Sequence, residues 1–223
     1  MREELTQIVK SKDLKDISID VIENILDNEI TNEALKEVPI VKSLIAARNI
    51  FSSISDRIFL KKALLVLLEL KELSDDERQN FVDELGDKFS TGAEKILLAI
   101  EKLDSYEKCK VFGRLSFLRA QNLLDPENFR RLTKIIKDSY LPDLELILHL
   151  NEGRNEITEE VYYPLVSLGL IFEERSEQTP IEKSEAAAYE GREEYVGGEI
   201  KFYYYLTFPG SALLTHYNFL FSD

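Results

Sequence analysis

PIVKSLIAARNIFSSISDRIFLKKALLVLLELKEL, residues 39–73, reads as two consecutive helices, and the second of them decides the fold. With Arg57 as origin and about 100° per residue, Phe59, Leu60, Ala63, Val66, Leu67, Leu70 and Leu73 fill one face. The other half carries Arg57, Lys61, Lys62, Glu69, Lys71 and Glu72, but Ile58, Leu64, Leu65 and Leu68 are interleaved with them. A helix apolar beyond one stripe is covered from two sides or lies against lipid. The rest of the chain is expected to wrap around it.

The same stretch is cationic. Between residues 41 and 62, Lys42, Arg48, Arg57, Lys61 and Lys62 face a single acid, Asp56, among Leu44, Ile45, Ile50, Phe51, Ile54 and Phe59. Such a pair of helices is either a membrane-seeking element or a core hairpin whose long basic side chains reach the surface or pair with acids elsewhere. The core hairpin is the preferred reading. The longest apolar run, residues 63–68, falls far short of the roughly 20 residues that cross a bilayer.

Composition sets the class. A chain of 223 residues with 44% hydrophobic residues is long enough to bury a proper core. Its formal charge is −14, and the imbalance is uneven: residues 141–223 hold 5 bases and 16 acids. That field repels nucleic acid and anionic lipid and favours basic protein surfaces. One cysteine, Cys109, excludes an internal disulfide, and the charged start lacks an apolar signal region, so a cytoplasmic location is expected. With only His149 and His216, and no Cys or His pair at ligand spacing, neither a metal nor a cofactor is expected.

In chain order, short amphipathic helices are expected over residues 3–9, 19–26 and 32–38, before Pro39 resets the chain. Ser74 and Glu77 have capping-box spacing, opening a helix through Phe81, Val82 and Leu85 that stops at Gly86. Further helices run through Ile96, Leu97, Ile100 and Leu103, and from Tyr106 through Val111, Leu115 and Leu118. Asp125-Pro126 opens another, with Phe129, Leu132, Ile135 and Ile136 on one face. Residues 1–140 thus read as a helical bundle without a fixed-period repeat.

From residue 141 the pattern changes. A helix begins at Pro142 through Leu144, Ile147 and Leu150, a polar turn covers 151–157, and a second helix covers 158–168. A strand at 170–172, a 24-residue polar stretch at 176–199, a strand at 200–207 and a helix over 211–219 complete the chain. This is the order of a winged helix with a long acidic wing. The fold class is therefore mainly α: a bundle over 1–140 and a winged-helix-like α+β module over 141–223.

LVSLGLI at 165–171 and YLTFPGSALL at 205–214 resemble the ending of many bacterial winged-helix domains, where a helix stops at a glycine, a strand enters the wing, and the return strand leads into a closing helix. The wider layout resembles abortive-infection alpha-type proteins linked to phage defence and mobile elements. That resemblance implies a regulatory or defence role. Phe208-Pro209 and the length of the wing depart from the pattern.

A winged helix suggests DNA first, but residues 158–168 contain no Lys, Arg, Asn or Gln and include Glu159 and Glu160. The wing carries seven acids, among them Glu193 and Glu194, against Lys183 and Arg192. Catalytic motifs are absent. Lys108 and Lys110 flank Cys109 and would lower its pKa if they stayed near, although a charged helix flank is the simpler account. In Tyr203-Tyr204-Tyr205, alternate residues face opposite sides, so Tyr203 and Tyr205 form one set and Phe202 and Tyr204 the other. The expected function is a non-enzymatic interaction or regulatory protein that binds a basic protein partner through Glu159, Glu160, Tyr163, Glu193, Glu194, Tyr203 and Tyr205. The alternatives are a membrane-active effector or immunity component using residues 39–73, and a DNA-binding regulator.

Overall fold

A computed structural model of the chain describes residues 14, 17–20, 22, 41–42, 44–45, 54–86, 92–156, 162–175 and 202–222. Most of the short helices expected before Pro39, much of the first helix of the central pair, and the wing at 176–199 lie outside the described residues. The chain divides into two compact units, Met1–Asp138 with His216–Asp223, and Ser139–Thr215. The last eight residues, read from sequence as part of the second module, therefore belong with the first.

In the first unit the hydrophobic stretch forms α1 (Ile54–Leu70), succeeded by α2 (Asp75–Leu85), α3 (Gly92–Lys102), α4 (Tyr106–Ala120) and α5 (Pro126–Asp138). α1 buries Leu64 and Leu65 as well as the Phe59–Leu70 stripe, because α3 and α4 both pack on it. The crossing of α1 and α4 is close at Gly113, where a Cβ would lie 2.8 Å from the Glu69 side chain. α4 in turn contacts α1, α2 and α5, and ten of its residues are buried. The bundle thus has a second centre beside α1.

Local signals place the helix ends. Ser74 Oγ accepts from Glu77 N at 3.3 Å, and Ser74 N donates to Glu77 Oε2 at 2.7 Å. The Ser74 N–H, and after it the Ser74 hydroxyl, which donates to Glu77 Oε2 at 2.8 Å, hold the Glu77 carboxyl below the usual carboxylate range. Asp125 caps α5 by accepting from Glu127 N and Asn128 N, each at 3.0 Å. Gly86 does end α2, but at φ −67° and ψ 157°, so its left-handed freedom is not used. α4 ends on Asn122 at φ 57°, where Leu123 N reaches Leu118 O and Asn122 N reaches Arg119 O, a Schellman closure.

The second unit opens with the expected helix at Leu141–His149, which is of the 3-10 kind. Leu144, Ile147 and Leu150 recur every third residue and are all buried, a spacing that matches three residues per turn. Next come β1 (Asn155–Glu156), inside the expected polar turn, α6 (Tyr163–Ser167), β2 (Ile171–Arg175) and β3 (Phe202–Leu206). The described part of the helix expected over 158–168 is only five residues long, and residues 158–161 lie outside the description. Gly169, at φ 71°, closes it in a second Schellman motif, with Leu170 N on Leu165 O and Gly169 N on Val166 O. The sheet is antiparallel in the order β1-β3-β2, with Ile171 opposite Leu206 and Phe172 opposite Tyr205. Helix α7 (Phe208–Leu220) starts three residues before the expected Ser211. Pro209 falls in its first turn, where a missing N–H costs nothing, and Thr207 Oγ1 accepts from Gly210 N at 3.3 Å.

Candidate functional site

Four basic residues of the first unit, Lys62, Arg78, Lys108 and Arg114, are committed to its own helix ends. The last carbonyls of a helix lack intrahelical donors, and they sit at the negative end of its dipole. Arg78, with none of its surface exposed, donates to Leu73 O at 2.7 Å just beyond α1. Lys62 donates to Leu103 O, just beyond α3. Lys108 Nζ donates to Lys137 O at 3.0 Å near the end of α5. Arg114 donates to Leu220 O at 3.1 Å, at the end of α7, and pairs with Glu69 at 3.2 Å. Lys61 lies 4.4 Å from the centre of the Tyr106 ring. Two of the cations that raised the membrane alternative, Lys61 and Lys62, are therefore engaged inside the unit.

Cys109 is equally structural. It is fully buried on α4, its sulfur lies 3.2 Å from Ser105 O, and burial pushes its thiol up to about 12. Lys62 opposes that shift while Glu107 and Asp104 add to it, and Lys108 Nζ is turned to Asp104 and the Lys137 carbonyl. His149 is exposed and His216 is half-buried. Among the described residues, no group of three or more His, Cys, Asp or Glu could hold a metal ion, and no helix is long and apolar enough to cross a membrane.

The second unit presents a different kind of surface. Its geometry starts at Asn155, whose buried amide accepts from Asn151 N at 2.9 Å and donates to Asn151 O, Gly153 O and Tyr204 O at 3.0–3.2 Å. This knot closes a turn that needs Gly153 at φ 125°. The turn lays Arg154 over the Tyr203 ring, its guanidinium carbon 3.4 Å from the ring centre. Cross-strand partners share a face, so Tyr203, Tyr205, Phe172 and Glu174 lie on one side of the sheet. Phe172 is 51% exposed and stacks on Tyr205 at 5.0 Å and 14°. The Tyr205 hydroxyl donates to Glu174 Oε2 at 2.9 Å, and this bond raises the Tyr205 pKa. On the other side, Tyr204 is buried against Tyr162, with ring centres 5.9 Å apart.

Of the residues expected to bind a partner, Glu159, Glu160, Glu193 and Glu194 lie outside the described residues. Tyr163 is exposed at the start of α6, and Tyr205 is half-buried in the stack. Tyr203 is 9% exposed and Tyr204 4%, so each of the two alternating sets has a buried member. Phe172 was not singled out from sequence, and Glu174 was read with Glu173 as part of a solvated acidic face. The only available signal was the alternation of Ile171 with Phe172 and of Glu173 with Glu174, which acquires meaning once the register with β3 is known.

The chain is thus a mainly helical protein with a small antiparallel sheet toward its C-terminus. Comparisons with protein-family profiles, with characterised proteins and with solved structures found no match.

Proposed function

We propose that this is a non-enzymatic interaction protein whose second unit, built in the manner of a winged helix, binds a protein partner with a basic surface. The observation that carries this reading is the exposed Phe172 ring stacked on Tyr205 beside the exposed Glu174 carboxylate. An aromatic anchor held rigid by a neighbouring ring suits a protein interface, and the adjoining acid selects a cationic partner. The 16 acids against 5 bases over residues 141–223 extend that preference beyond direct contact. The strand order β1-β3-β2 supports the winged-helix reading, and the resemblance of the sequence layout to abortive-infection alpha-type proteins makes phage defence the proposed setting in which to seek the partner. DNA is disfavoured: Tyr163–Ser167 offers neither a cation nor an amide.

The test is fluorescence anisotropy of the full chain with a panel of Lys/Arg-rich peptides and, separately, with duplex DNA. Salt-sensitive peptide binding that weakens about tenfold or more in Phe172→Ala and Glu174→Lys is expected, since aromatic anchors at interface centres commonly carry such losses. Duplex binding at physiological salt, unaffected by either change, would refute the reading.

A further inference from the structure

The first unit carries a groove that owes nothing to the sheet face. Its volume is about 760 Å³, and α2, α3, α4 and α5 all contribute to its lining. Its accessible apolar lining is Leu85, Ala99 and Pro126, over a packed floor of Phe81, Ile96, Phe112 and Phe129 that is at most 5% exposed. Phe81 meets Phe129 edge to face at 5.9 Å and 85°, and Phe112 lies tilted against Phe129 at 6.3 Å. The size falls within the range of small-molecule sites, roughly 300–1,000 Å³.

The charged residues of the lining run against the charge of the whole chain. Lys95, Arg119 and Arg130 line the groove with a single acid, Glu84, in a protein of formal charge −14. Glu84 is already paired with Arg119, which also donates to Asn122 Oδ1 at 2.9 Å. Arg130 is exposed and makes no ion pair or hydrogen bond among the described residues, whereas the adjacent Arg131 pairs with Glu127 at 2.7 Å. An apolar trough beside an uncommitted guanidinium suits a molecule with a hydrocarbon body and one anionic end. A cationic amphiphile would meet the Arg130 guanidinium and find the one acid of the lining, Glu84, already held by Arg119. A peptide would leave its backbone N–H and C=O groups against apolar walls that cannot satisfy them.

We propose that this groove binds a monomeric medium-chain fatty carboxylate, with the hydrocarbon over Leu85, Ala99 and Pro126 and the carboxylate at Arg130. Arg130 presents a planar fork that matches a carboxylate, and Lys95 adds a second cation to the lining. The experiment is calorimetric titration of the full chain with dodecanoate below its micellar concentration, with dodecyltrimethylammonium and 1-dodecanol as matched cationic and neutral probes. Saturable binding of one dodecanoate per chain is expected, together with a melting midpoint that climbs with ligand concentration. Arg130→Gln, an exposed change that leaves the unliganded midpoint in place, should weaken dodecanoate about tenfold, the usual effect of removing a charged hydrogen bond. Ala99→Phe, which fills the groove from α3, should abolish binding. If that variant fails to fold, the Arg130→Gln comparison still decides. Equal affinity for the three probes, no response to Arg130→Gln, or uptake only from micelles or phosphatidylglycerol vesicles would each overturn the proposal.

Discussion

Replacing Arg78 with alanine probes how a buried cation on α2 fastens the turn that joins it to α1. Arg78 is fully buried, and its guanidinium bridges Leu73 O at 2.7 Å and Asp75 Oδ1 at 2.5 Å. Loss of the charged bond to the Leu73 carbonyl costs about 1.5–3 kcal/mol. Loss of the buried stem adds about 0.8 kcal/mol per methylene. Asp75, whose side chain is 48% exposed, regains water when the bridge breaks, so the ion pair itself contributes under about 1 kcal/mol. The desolvation that Arg78 suffers in the folded state disappears with it and returns part of the loss. The net expectation is a destabilisation of about 3 kcal/mol, or roughly 6–12 °C in melting midpoint for a chain of this size. Urea titration monitored by far-UV circular dichroism measures it, with an unchanged m-value as the check that the two-state reading holds. Arg78→Lys keeps the stem and the charge but loses the fork, and should recover about half of the loss. An alanine variant within about 0.5 kcal/mol of the parent would refute the assignment of Arg78 as the fastening of the α1–α2 turn.

Leu67→Ala on α1 should cost about 2–5 kcal/mol in the same titration, because Leu67 is buried where α1 is covered on two sides. A loss under about 0.5 kcal/mol would make α1 peripheral and revive its membrane alternative. Cys109 should resist thiol reagents in the native protein and react at once in denaturant. Its folded pKa of about 12 lies above the ordinary 9.0, so the native state keeps its proton over a range where the unfolded state loses it. The stability Cys109 contributes is complete below pH 9.0 and is lost as pH rises toward about 12. Cys109→Ala should therefore flatten the alkaline loss of stability, by about 1 kcal/mol near pH 10, and an unchanged slope would refute the burial argument.

The features legible in sequence were those whose hydrogen bonds close within a few residues. Ser74 with Glu77, Asp125 before Pro126, and Gly169 after α6 each satisfy helix-end groups on their own chain neighbours, so residue type and spacing suffice. The same locality explains why one helix was read without its type and another with a late start. Leu144, Ile147 and Leu150 fit both a loose α pattern and a strict three-residue one, and Pro209 masks the true start of α7. The sheet face was only half legible: alternation assigned Tyr203 and Tyr205 to one side, but not which of them would be covered. That depended on Arg154, delivered by a turn that Asn155 ties to Tyr204, 49 residues away.

From the sequence alone came the mainly helical character, the change of pattern after residue 140, the acidic bias of residues 141–223 and the pairing of two late strands, since periodicity, charge and turn chemistry are all read along the chain. Only the tertiary structure decided that α4, with Lys108, Arg114, Ser116 and Arg119 along it, is a buried centre. Charged residues on a helix read as solvated because their partners are invisible locally: Lys108 finds Lys137 O at a separation of 29 residues and Arg114 finds Leu220 O at 106. A helix-end carbonyl is a strong acceptor wherever the fold carries it, and no spacing rule along the chain says which cation will arrive there.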